Sequence, residues 1–423
     1  MTGGRRGAGF FAAGHTPTLI AALLYFDVSF MAWVLLGPLA PFLRSDLGLT
    51  ATQVGLLTAV PLLGGSLFRP VLGVLEERIG GRRTGLLGLA LTIAALLAGW
   101  RGAHTPAQFY ALAFCLGIAG ASFAVALPLA SRWYPPEYQG LAMGIAGAGN
   151  SGTLLATLFA PRLAERFGWQ ATFGAAIAPL ALVLVLFALL ARDSPRRPAR
   201  VSLSGYRAVL SDPDTLALSF LYALTFGGFV GFASFLTTFF HEAYRLSRVE
   251  AGDFTTIVVV AGSLLRPVGG WLSDRVGGYR LLVLLLAGFA GCLALVATMP
   301  TVQVAVALLF VGVGLLGMGN GAVFQLVPQR FGDRIGSVTG VVGAAGGLGG
   351  FLVPSAFGAL RDLTGSYVAG LAGCAVVFAA GVLVLLELGA RWSLRWDRVA
   401  VRQAGVYSYR AMLAPTVPSE MSD

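Results

Sequence analysis

Two arginines lie deep inside apolar stretches of this sequence. Arg69 and Arg266 share the context Gly-Ser-Leu-x-Arg-Pro-Val-x-Gly, and each is followed nine residues later by a second arginine. In a helix, that separation puts each about 13 Å from the following loop. A charge at such depth costs at least about 2.5–3.5 kcal/mol on insertion scales. A guanidinium is a planar fork of donors that suits flat oxyanions, so the pair predicts a small-anion site. The alternative is that each side chain reaches back to the lipid headgroups.

Two other polar residues interrupt apolar segments. Asp27 is a carboxylate within an apolar segment, which makes it a functional candidate. It either takes up and releases a proton or pairs with a basic group near the membrane surface. Asn150 carries an amide that needs a partner on an apolar helix. That partner is either a bound anion or a neighbouring helix.

The composition places these residues in a membrane protein. Of 423 residues, 57% are apolar and 11% are charged, whereas soluble domains carry about 25% charged residues. The mean hydropathy is +0.80. These values exclude a water-soluble enzyme, a disordered protein and a secreted disulfide scaffold. The chain has no lysine, which excludes a P-loop ATPase. Its three cysteines and three histidines lack ligand spacing, so no metal, cofactor or catalytic residue is expected.

Twelve segments are long and apolar enough to cross a membrane as helices, which predicts an all-α membrane protein. They lie at approximately 18–41, 52–75, 84–101, 107–131, 140–163, 170–191, 215–240, 252–273, 281–299, 303–327, 335–359 and 367–389. The most polar stretch divides them six and six. The predicted organisation is an N-terminal six-helix bundle (1–191), a cytoplasmic central loop (192–214), a C-terminal six-helix bundle (215–391) and a cytoplasmic tail (392–423) that lies loosely at the membrane surface.

The arginine distribution predicts the orientation. With both termini on one side, that side collects 20 arginines and the opposite side seven. Positive charge accumulates on the cytoplasmic side of membrane proteins, so both termini are expected in the cytoplasm, with the chain in the inner (plasma) membrane. Topology thereby accounts for the net charge of +10, and no nucleic-acid partner is expected. The lipid bilayer is the expected surrounding, and the chain is expected to act as a monomer.

The two halves of the sequence repeat each other. Residues 65–83 and 262–280 are identical at twelve of nineteen positions with an offset of 197. The same offset aligns the glycine-rich stretches that begin at Gly149 and Gly346. Parallel repeats related by an axis along the membrane normal are typical of transporters that alternate access around a midplane site. The repeat would bring Arg69 and Arg266 together at such a site.

These motifs carry a resemblance to a known family. Residues 73–83, GVLEERIGGRR, look like the loop 2–3 motif of the major facilitator superfamily, and 270–280 look like its second-half copy. Within that superfamily, the chain resembles the nitrate/nitrite porter (NarK-type) family over essentially the whole transmembrane region. Three features carry the match: an arginine in each of segments 2 and 8, Gly-Asn-Ser-Gly at 149–152, and Gly-Gly-Leu-Gly-Gly-Phe-Leu-Val-Pro at 346–354.

The resemblance implies a secondary transporter that moves nitrate and nitrite by alternating access. The substrate-binding residues that it implies are Arg69, Arg266, Asn150, Tyr222, Phe30, Phe123, Gln325, Gly149, Gly346 and Gly349. The implied gating residues at the cytoplasmic helix ends are Glu77 with Arg78 and Asp274 with Arg275. Each glycine also fits close helix packing. Each aromatic residue also fits core packing or lipid contact, and glycines between 343 and 350 predict a deformable helix.

Two close arginines also suggest how transport is coupled. In an empty site, two like charges repel at low dielectric, whereas a bound anion screens them and lets the halves close. The empty carrier is then expected to reorient slowly, which favours nitrate/nitrite antiport. Proton-coupled nitrate symport through Asp27 is one alternative. Exchange of formate, cyanate or a short carboxylate by the same fold is another. An anion sensor, a drug or cation exporter and an enzyme fit these residues less well.

Overall fold

The computed structural model describes residues 10–103, 105–195, 203–331 and 335–406. Within these ranges the chain is helical and contains no β-strand. Some arginines that support the predicted orientation lie outside the described residues, namely Arg5, Arg6, Arg196, Arg197, Arg200, Arg334 and Arg410. The last part of the predicted tail, after residue 406, lies outside them as well.

The N-terminal half contains ten helices in its described part. They are α1 (Phe10–Ala13), α2 (Thr16–Val34), α3 (Leu36–Leu47), α4 (Ala51–Ile79), α5 (Gly81–Gly102), α6 (Pro106–Gly120), α7 (Phe123–Ser131), α8 (Pro136–Gly147), α9 (Gly152–Phe167) and α10 (Trp169–Leu190). A 3-10 turn, Ala148–Ser151, separates α8 from α9.

The rest of the described chain forms ten further helices. They are α11 (Leu203–Leu210), α12 (Pro213–Tyr222), α13 (Gly228–Ala243), α14 (Arg248–Leu264), α15 (Arg266–Val276), α16 (Gly278–Val296), α17 (Val302–Phe331), α18 (Ile335–Thr364), α19 (Val368–Arg395) and α20 (Arg398–Ala404). A π-helical turn, Ala223–Gly227, joins α12 to α13.

Eleven helical segments of the described chain are long and apolar enough to cross a membrane, so the chain is a multi-pass membrane protein. Eleven of the twelve predicted spans correspond to these segments. The remaining one, 140–163, is helical but divided, because the 3-10 turn between α8 and α9 falls on the Gly-Asn-Ser-Gly motif. A 3-10 stretch in mid-helix is characteristic of hinges and functional sites. The second glycine-rich motif differs, since α18 runs through it and through Pro354 as one helix.

The repeat in the sequence is also a repeat in backbone geometry. Gly80 ends α4 with φ +92°, and Gly277 ends α15 with φ +90°. These glycines are 197 residues apart, and only glycine adopts such φ values without strain. Between the halves, α4 packs along α18, while α9 packs against α14. We call the boundary between the halves that these helix pairs form the seam, and Arg69 and Arg266 both approach the opposite half across it.

One prediction about the polar segments is corrected. The predicted central loop contains the short helix α11 within its bounds, whereas the tail does not lie loosely as far as residue 406. Instead, the Trp392 and Trp396 indole nitrogens donate to the buried Asp214 carboxylate over 2.8 and 3.1 Å. Helix α20 then packs with Val401 and Ala404 buried. Buried indole N–H groups need acceptors, and this requirement ties the start of the tail to the C-terminal half.

Candidate functional site

The two repeat-related arginines converge on one aromatic ring. Arg69 projects from the middle of α4, and Arg266 is the first residue of α15. Their Cζ atoms lie 5.3 and 5.9 Å from the centroid of the Phe123 ring. The predicted meeting of Arg69 and Arg266 at the seam is therefore what the structure shows.

Arg69 is almost fully buried, with 3% of its surface exposed. Its Nε donates to the Gly120 carbonyl over 3.1 Å, and its Nη1 donates to the Gly343 carbonyl. Its Nη2 is buried and has no hydrogen-bond partner among the described residues. Gly120 belongs to the N-terminal half and Gly343 to the C-terminal half. Arg69 therefore bridges the two halves and keeps one donor unused.

Arg266 has a more open environment. Its Cζ lies 5.7 Å from the Phe324 ring centroid, and a Cβ placed on Gly147 would lie 4.0 Å from that Cζ. Its Nη1 is buried, and the described part of the chain offers it no hydrogen-bond partner. Arg266 thus reaches from the C-terminal half toward α8 of the N-terminal half. It presents an unpaired charged donor at the seam.

Tyr222 lies beside the two arginines and adds a hydroxyl group to the site. Its ring stacks on Phe226 at 5.1 Å between centroids and meets Phe324 edge-on at 4.8 Å. Its hydroxyl is buried without a hydrogen-bond partner in the described ranges. Both Arg69 and Arg266 interact electrostatically with this side chain. A neutral hydroxyl between two cations is a suitable third donor for an anion.

Phe30 packs against the aromatic rings that line the site. Among the described contacts, its own ring does not touch an arginine. It packs edge-on against Trp33 at 5.1 Å and against Phe226 at 6.2 Å. Trp33 and Phe226 in turn lie 5.3 Å from the Arg69 Cζ. Phe30 therefore supports the rings that surround Arg69.

Asn150 occupies the 3-10 turn and is fully buried. Neither of its amide atoms has a hydrogen-bond partner within the described chain. Its own carbonyl accepts a weak bond from the Ser263 hydroxyl at 3.5 Å, which links it to α14. An unpaired buried amide costs about 1–3 kcal/mol. The side chain is thus available to a ligand. A bound anion was one of the two partners that the sequence left open for this amide, the other being a neighbouring helix.

The signature glycines permit close approach of helices. A Cβ on Gly149 would lie 2.8 Å from the backbone nitrogen of Asp27. A Cβ on Gly346 would lie 2.7 Å from the Phe226 ring and 2.8 Å from the Tyr222 ring, and one on Gly349 would collide with the Ala223 backbone. Packing is therefore what the structure shows for these glycines. Through it they set the positions of the rings and of the 3-10 turn.

Asp27 caps a helix. One of its oxygens accepts a hydrogen bond from the Ser151 hydroxyl at 2.6 Å, and the Gly152 N–H donates to the same carboxylate. Asp27 thereby places an acidic side chain at the start of α9, where negative charge interacts favourably with the helix dipole. The proposed pairing of Asp27 with a basic group is therefore replaced by a pairing with a hydroxyl and a backbone amide.

Gln325 does not lie at the arginines. Its Oε1 accepts from the Gly278 N–H over 3.2 Å, and its Nε2 donates to the Gln403 carbonyl over 3.4 Å. Its neighbour Phe324 contacts Arg266 instead, because adjacent helical residues point in directions about 100° apart. The expectation that Gln325 binds substrate is corrected on this geometry.

The four residues predicted to gate lie at the end of the bundle where the arginines of the sequence accumulate, which we call the arginine-rich end. Arg78, Asp274 and Arg275 are exposed there, and Arg275 stacks on Trp271 at 3.8 Å. The buried carboxylate at this end is Glu76, adjacent to the predicted Glu77, and it pairs with Arg132. The gating role of Glu77, Arg78, Asp274 and Arg275 stays a prediction.

The opposite, arginine-poor end is closed by polar contacts between the halves. Arg44 pairs with Glu242, and the Asp362 carboxylate accepts from the Thr52 N–H and hydroxyl at 2.7 and 2.6 Å. Arg162 donates to Asp253 at 2.9 Å. At the arginine-rich end, the ion pairs described stay within one half, as in Glu76 with Arg132 and Arg330 with Asp214.

Several site residues were not predicted from the sequence. Trp33, Phe226 and Phe324 form much of the aromatic wall, and the Asn320 amide is fully buried without a partner in the described residues. Asn320 lies one helical turn before Phe324 on the same face of α17. The signal for Asn320 was available, since it is an amide in an apolar segment like Asn150. Trp33, Phe226 and Phe324 had no comparable signal, because apolar segments contain many aromatic residues.

The chain is similar to known proteins over most of its length. The family model described as Major Facilitator Superfamily matches residues 21–354. A protein of Mycobacterium tuberculosis named "Probable nitrate/nitrite transporter NarK2" is 38% identical over 370 residues, which is 85% of this chain and 92% of that protein. The "Nitrite extrusion protein" of Bacillus subtilis is 34% identical over 359 residues, covering 84% of this chain and 90% of that protein.

Solved structures match the fold at low sequence identity. A D-xylose-proton symporter gives a TM-score of 0.70 at 16% identity, over 88% of this chain and 96% of that chain. A bacterial homologue of the lysosomal transporter Spinster, in an inward-facing and occupied conformation, gives 0.64 at 19% identity, over 91% and 96%. These two matches concern the arrangement of helices alone.

Proposed function

Since the chain belongs to the nitrate/nitrite porter family of the major facilitator superfamily, we propose that it exchanges nitrate for nitrite across the cytoplasmic membrane. One observation carries the proposal above the others. Arg69, Arg266 and Asn150 each keep a buried nitrogen atom without a hydrogen-bond partner among the described residues, and all three residues approach the opposite half at the seam. An anion that accepts from these donors would remove the cost of leaving them unpaired.

The substrate is small and flat in this proposal. Rings of Trp33, Phe123 and Phe226 surround the Arg69 guanidinium at equal centroid distances of 5.3 Å. A site bounded by ring faces admits a planar anion that stacks between them while its oxygens meet the guanidinium donors in plane. Nitrate and nitrite have that shape and a single negative charge. The names of the similar proteins point to the same two anions.

Antiport follows from the charge balance of the site. Two guanidinium groups lie close to the same Phe123 ring, and their repulsion at low dielectric opposes closure of an empty site. A bound anion relieves this repulsion, so the loaded carrier reorients and the empty carrier does not. Asp27 is engaged at the start of α9, which leaves it a structural role and favours antiport over proton symport.

Alternating access is proposed to involve the two bundles, 1–191 and 215–391, that flank the central loop 192–214. The arginine-poor end faces outward, and the arginine-rich end with both termini faces the cytoplasm. Contacts such as Arg44 with Glu242 close the outer end, which supports an inward-facing state. The chain is proposed to work as a monomer in the inner membrane, since one chain supplies both arginines.

The proposal is tested in proteoliposomes. Vesicles loaded with nitrite and vesicles with an anion-free lumen receive external nitrate, with and without an imposed pH gradient. Nitrate entry that requires internal nitrite and is insensitive to pH supports antiport. Entry into empty vesicles driven by an inward proton gradient would replace antiport by symport. Movement of formate or cyanate without movement of nitrate or nitrite would overturn the substrate assignment.

A further inference from the structure

A basic groove lies at the arginine-rich end, apart from the seam that holds Arg69 and Arg266. It has a volume of about 910 Å³ and lies between the loop that joins α15 to α16 and helix α20. Its lining includes four arginines and a single carboxylate, namely Arg275, Arg280, Arg398, Arg402 and Asp274. Such an excess of positive charge around one concave surface attracts anions.

The groove is built from fixed elements. Gly277 and Gly405 meet backbone to backbone, and a Cβ on Gly277 would lie 2.6 Å from the Gly405 nitrogen. The Gln325 amide donates to the Gln403 carbonyl, which ties α20 to α17. Ala404, the last residue of α20, is fully buried. Arg398 and Arg402 are therefore presented from an anchored helix and face Arg275 on the opposite wall.

The equivalent place in the N-terminal half contains an anion of the chain itself. There, the Asp193 carboxylate accepts from the Arg82 N–H at 2.9 Å, and a Cβ on Gly80 would lie 2.5 Å from its Oδ2. Gly80 corresponds to Gly277 by the 197-residue offset. At Gly277, the neighbouring segment is the Gly405 backbone, which brings no carboxylate. In the N-terminal half, a carboxylate of the chain thus occupies this place, whereas in the C-terminal half the α20 backbone occupies it, with Arg398 and Arg402 in the groove lining.

Exposed apolar side chains beside the groove indicate where that anion resides. Trp271 is 54% exposed and stacks on Arg275 at 3.8 Å between the Cζ and the ring centroid. Val276 and Val399, both in the lining, are 42% and 64% exposed. Tryptophan beside arginine is typical of the membrane–water interface. A ligand with a charged head and an apolar tail fits both parts of this surface.

We propose that this groove binds a phosphate-bearing anion supplied by the headgroup of an anionic phospholipid. The arginines of α20 and of the α15–α16 loop hold the phosphate, and the acyl chains lie along Trp271 and the exposed valines. The site is separate from the transport site, so it does not depend on which anion the protein carries. A free phosphate offers the same chemistry to the arginines without the apolar contacts.

Native mass spectrometry of the full chain in detergent tests the proposal, with phosphatidylglycerol, phosphatidylcholine and inorganic phosphate as probes. The wild type should retain phosphatidylglycerol in preference to phosphatidylcholine. The double variant Arg398→Gln/Arg402→Gln should weaken phosphatidylglycerol binding by about 30-fold, as expected for two arginines at a membrane surface. The matched control is Arg83→Gln/Arg207→Gln, which removes two exposed charges from the same end but away from the groove.

A second variant tests the site even if the double variant Arg398→Gln/Arg402→Gln fails to fold. Val399→Asp keeps every arginine and adds a negative charge to the groove wall, so it should also lose phosphatidylglycerol while its melting temperature stays at the wild-type value. Equal phosphatidylglycerol binding in wild type, Arg398→Gln/Arg402→Gln and Val399→Asp would overturn the site. Displacement of the lipid by millimolar inorganic phosphate would overturn the lipid assignment.

Discussion

Arg69 and Arg266 occupy equivalent positions in two copies of one repeat, yet their surroundings differ. Arg69 sits within the continuous helix α4 and donates to carbonyls of both halves. Arg266 begins α15 after a break at Leu265 and retains an unpaired buried nitrogen. The same motif thus produces one arginine that joins the halves and one that is open to a ligand. The sequence repeat sets the positions of the two charges, whereas the local packing determines which hydrogen bonds each guanidinium makes.

The signature segments diverge in the same way. In the N-terminal half, the glycine motif becomes a 3-10 turn that places the buried Asn150 beside Ser263 of the other half, whereas its C-terminal counterpart stays within the continuous helix α18. The Asp27 carboxylate accepts a hydrogen bond from Ser151 in that turn. The comparison predicts that substitutions in the two halves will have different effects on transport and on stability.

The largest effect is expected from the arginines themselves. Arg266→Lys and Arg69→Lys should each reduce nitrate transport at least about 30-fold, because an ammonium cannot reproduce the planar fork and leaves the anion poorly paired. Only Arg69→Lys should also destabilise the fold, by about 2 kcal/mol, because it alone replaces bonds to Gly120 and Gly343.

Transport assays together with thermal melting separate the two effects. Equal melting temperatures for Arg69→Lys and wild type would contradict the bridging role of Arg69. Retained transport in Arg266→Lys would contradict its role in binding.

The next effect concerns the 3-10 turn. Asn150→Ala should raise the KM for nitrate by about tenfold, as expected for loss of one hydrogen bond to a charged ligand. The control Ser263→Ala removes the bond to the Asn150 carbonyl and leaves the amide in place, so it should leave KM unchanged. An unchanged KM with a lowered melting temperature in Asn150→Ala would instead assign the amide to helix packing.

A smaller effect is expected at the cap of α9. Asp27→Ala should lower the free energy of unfolding by about 1 kcal/mol, the usual cost of losing such a cap. Asp27→Asn keeps an acceptor oxygen for the Ser151 hydroxyl and should retain nitrate/nitrite exchange. Exchange assays at several pH values check this point, and the exchange should be independent of pH. If Asp27→Asn abolished exchange or altered its pH profile, the structural assignment of Asp27 would be wrong.

The smallest effect on transport is expected at the arginine-poor end. Glu242 pairs with Arg44 and accepts from the Tyr367 hydroxyl at 2.8 Å. Burial, together with the neighbouring Glu242, raises the pKa of Tyr367 above its ordinary value, so the hydroxyl stays a donor at neutral pH. Glu242→Gln should weaken this closure by about 0.2–1 kcal/mol and change exchange rates less than about fivefold.

The exposed pair Arg391–Glu387 supplies the matched control for that prediction. Glu387→Gln should leave exchange rates unchanged, because the pair lies within one helix and spans no contact between the halves. Equal effects of Glu242→Gln and Glu387→Gln would show that the contacts at the arginine-poor end do not hold the halves together.

The sequence predicted the helical class, most segment positions and the meeting of Arg69 with Arg266, because apolar length and internal repetition are both visible in one chain. It predicted both glycine-rich segments as helices, which is confirmed for α18, but it did not predict the 3-10 break in the fifth segment, since both motifs are glycine-rich and packing decides between turn and helix. It placed Gln325 at the site instead of Phe324. A shift of one residue in a helix turns the side chain by about 100°, and family resemblance does not resolve such a shift.

The central claim is that the two guanidinium groups hold a small planar anion, and calorimetric titration of the purified protein with nitrate tests it most directly. The account predicts that wild type binds nitrate, that Ser263→Ala binds it equally well, and that Arg69→Lys and Arg266→Lys lose at least about 30-fold in Kd. Nitrate binding by Arg266→Lys with the wild-type Kd would contradict the account.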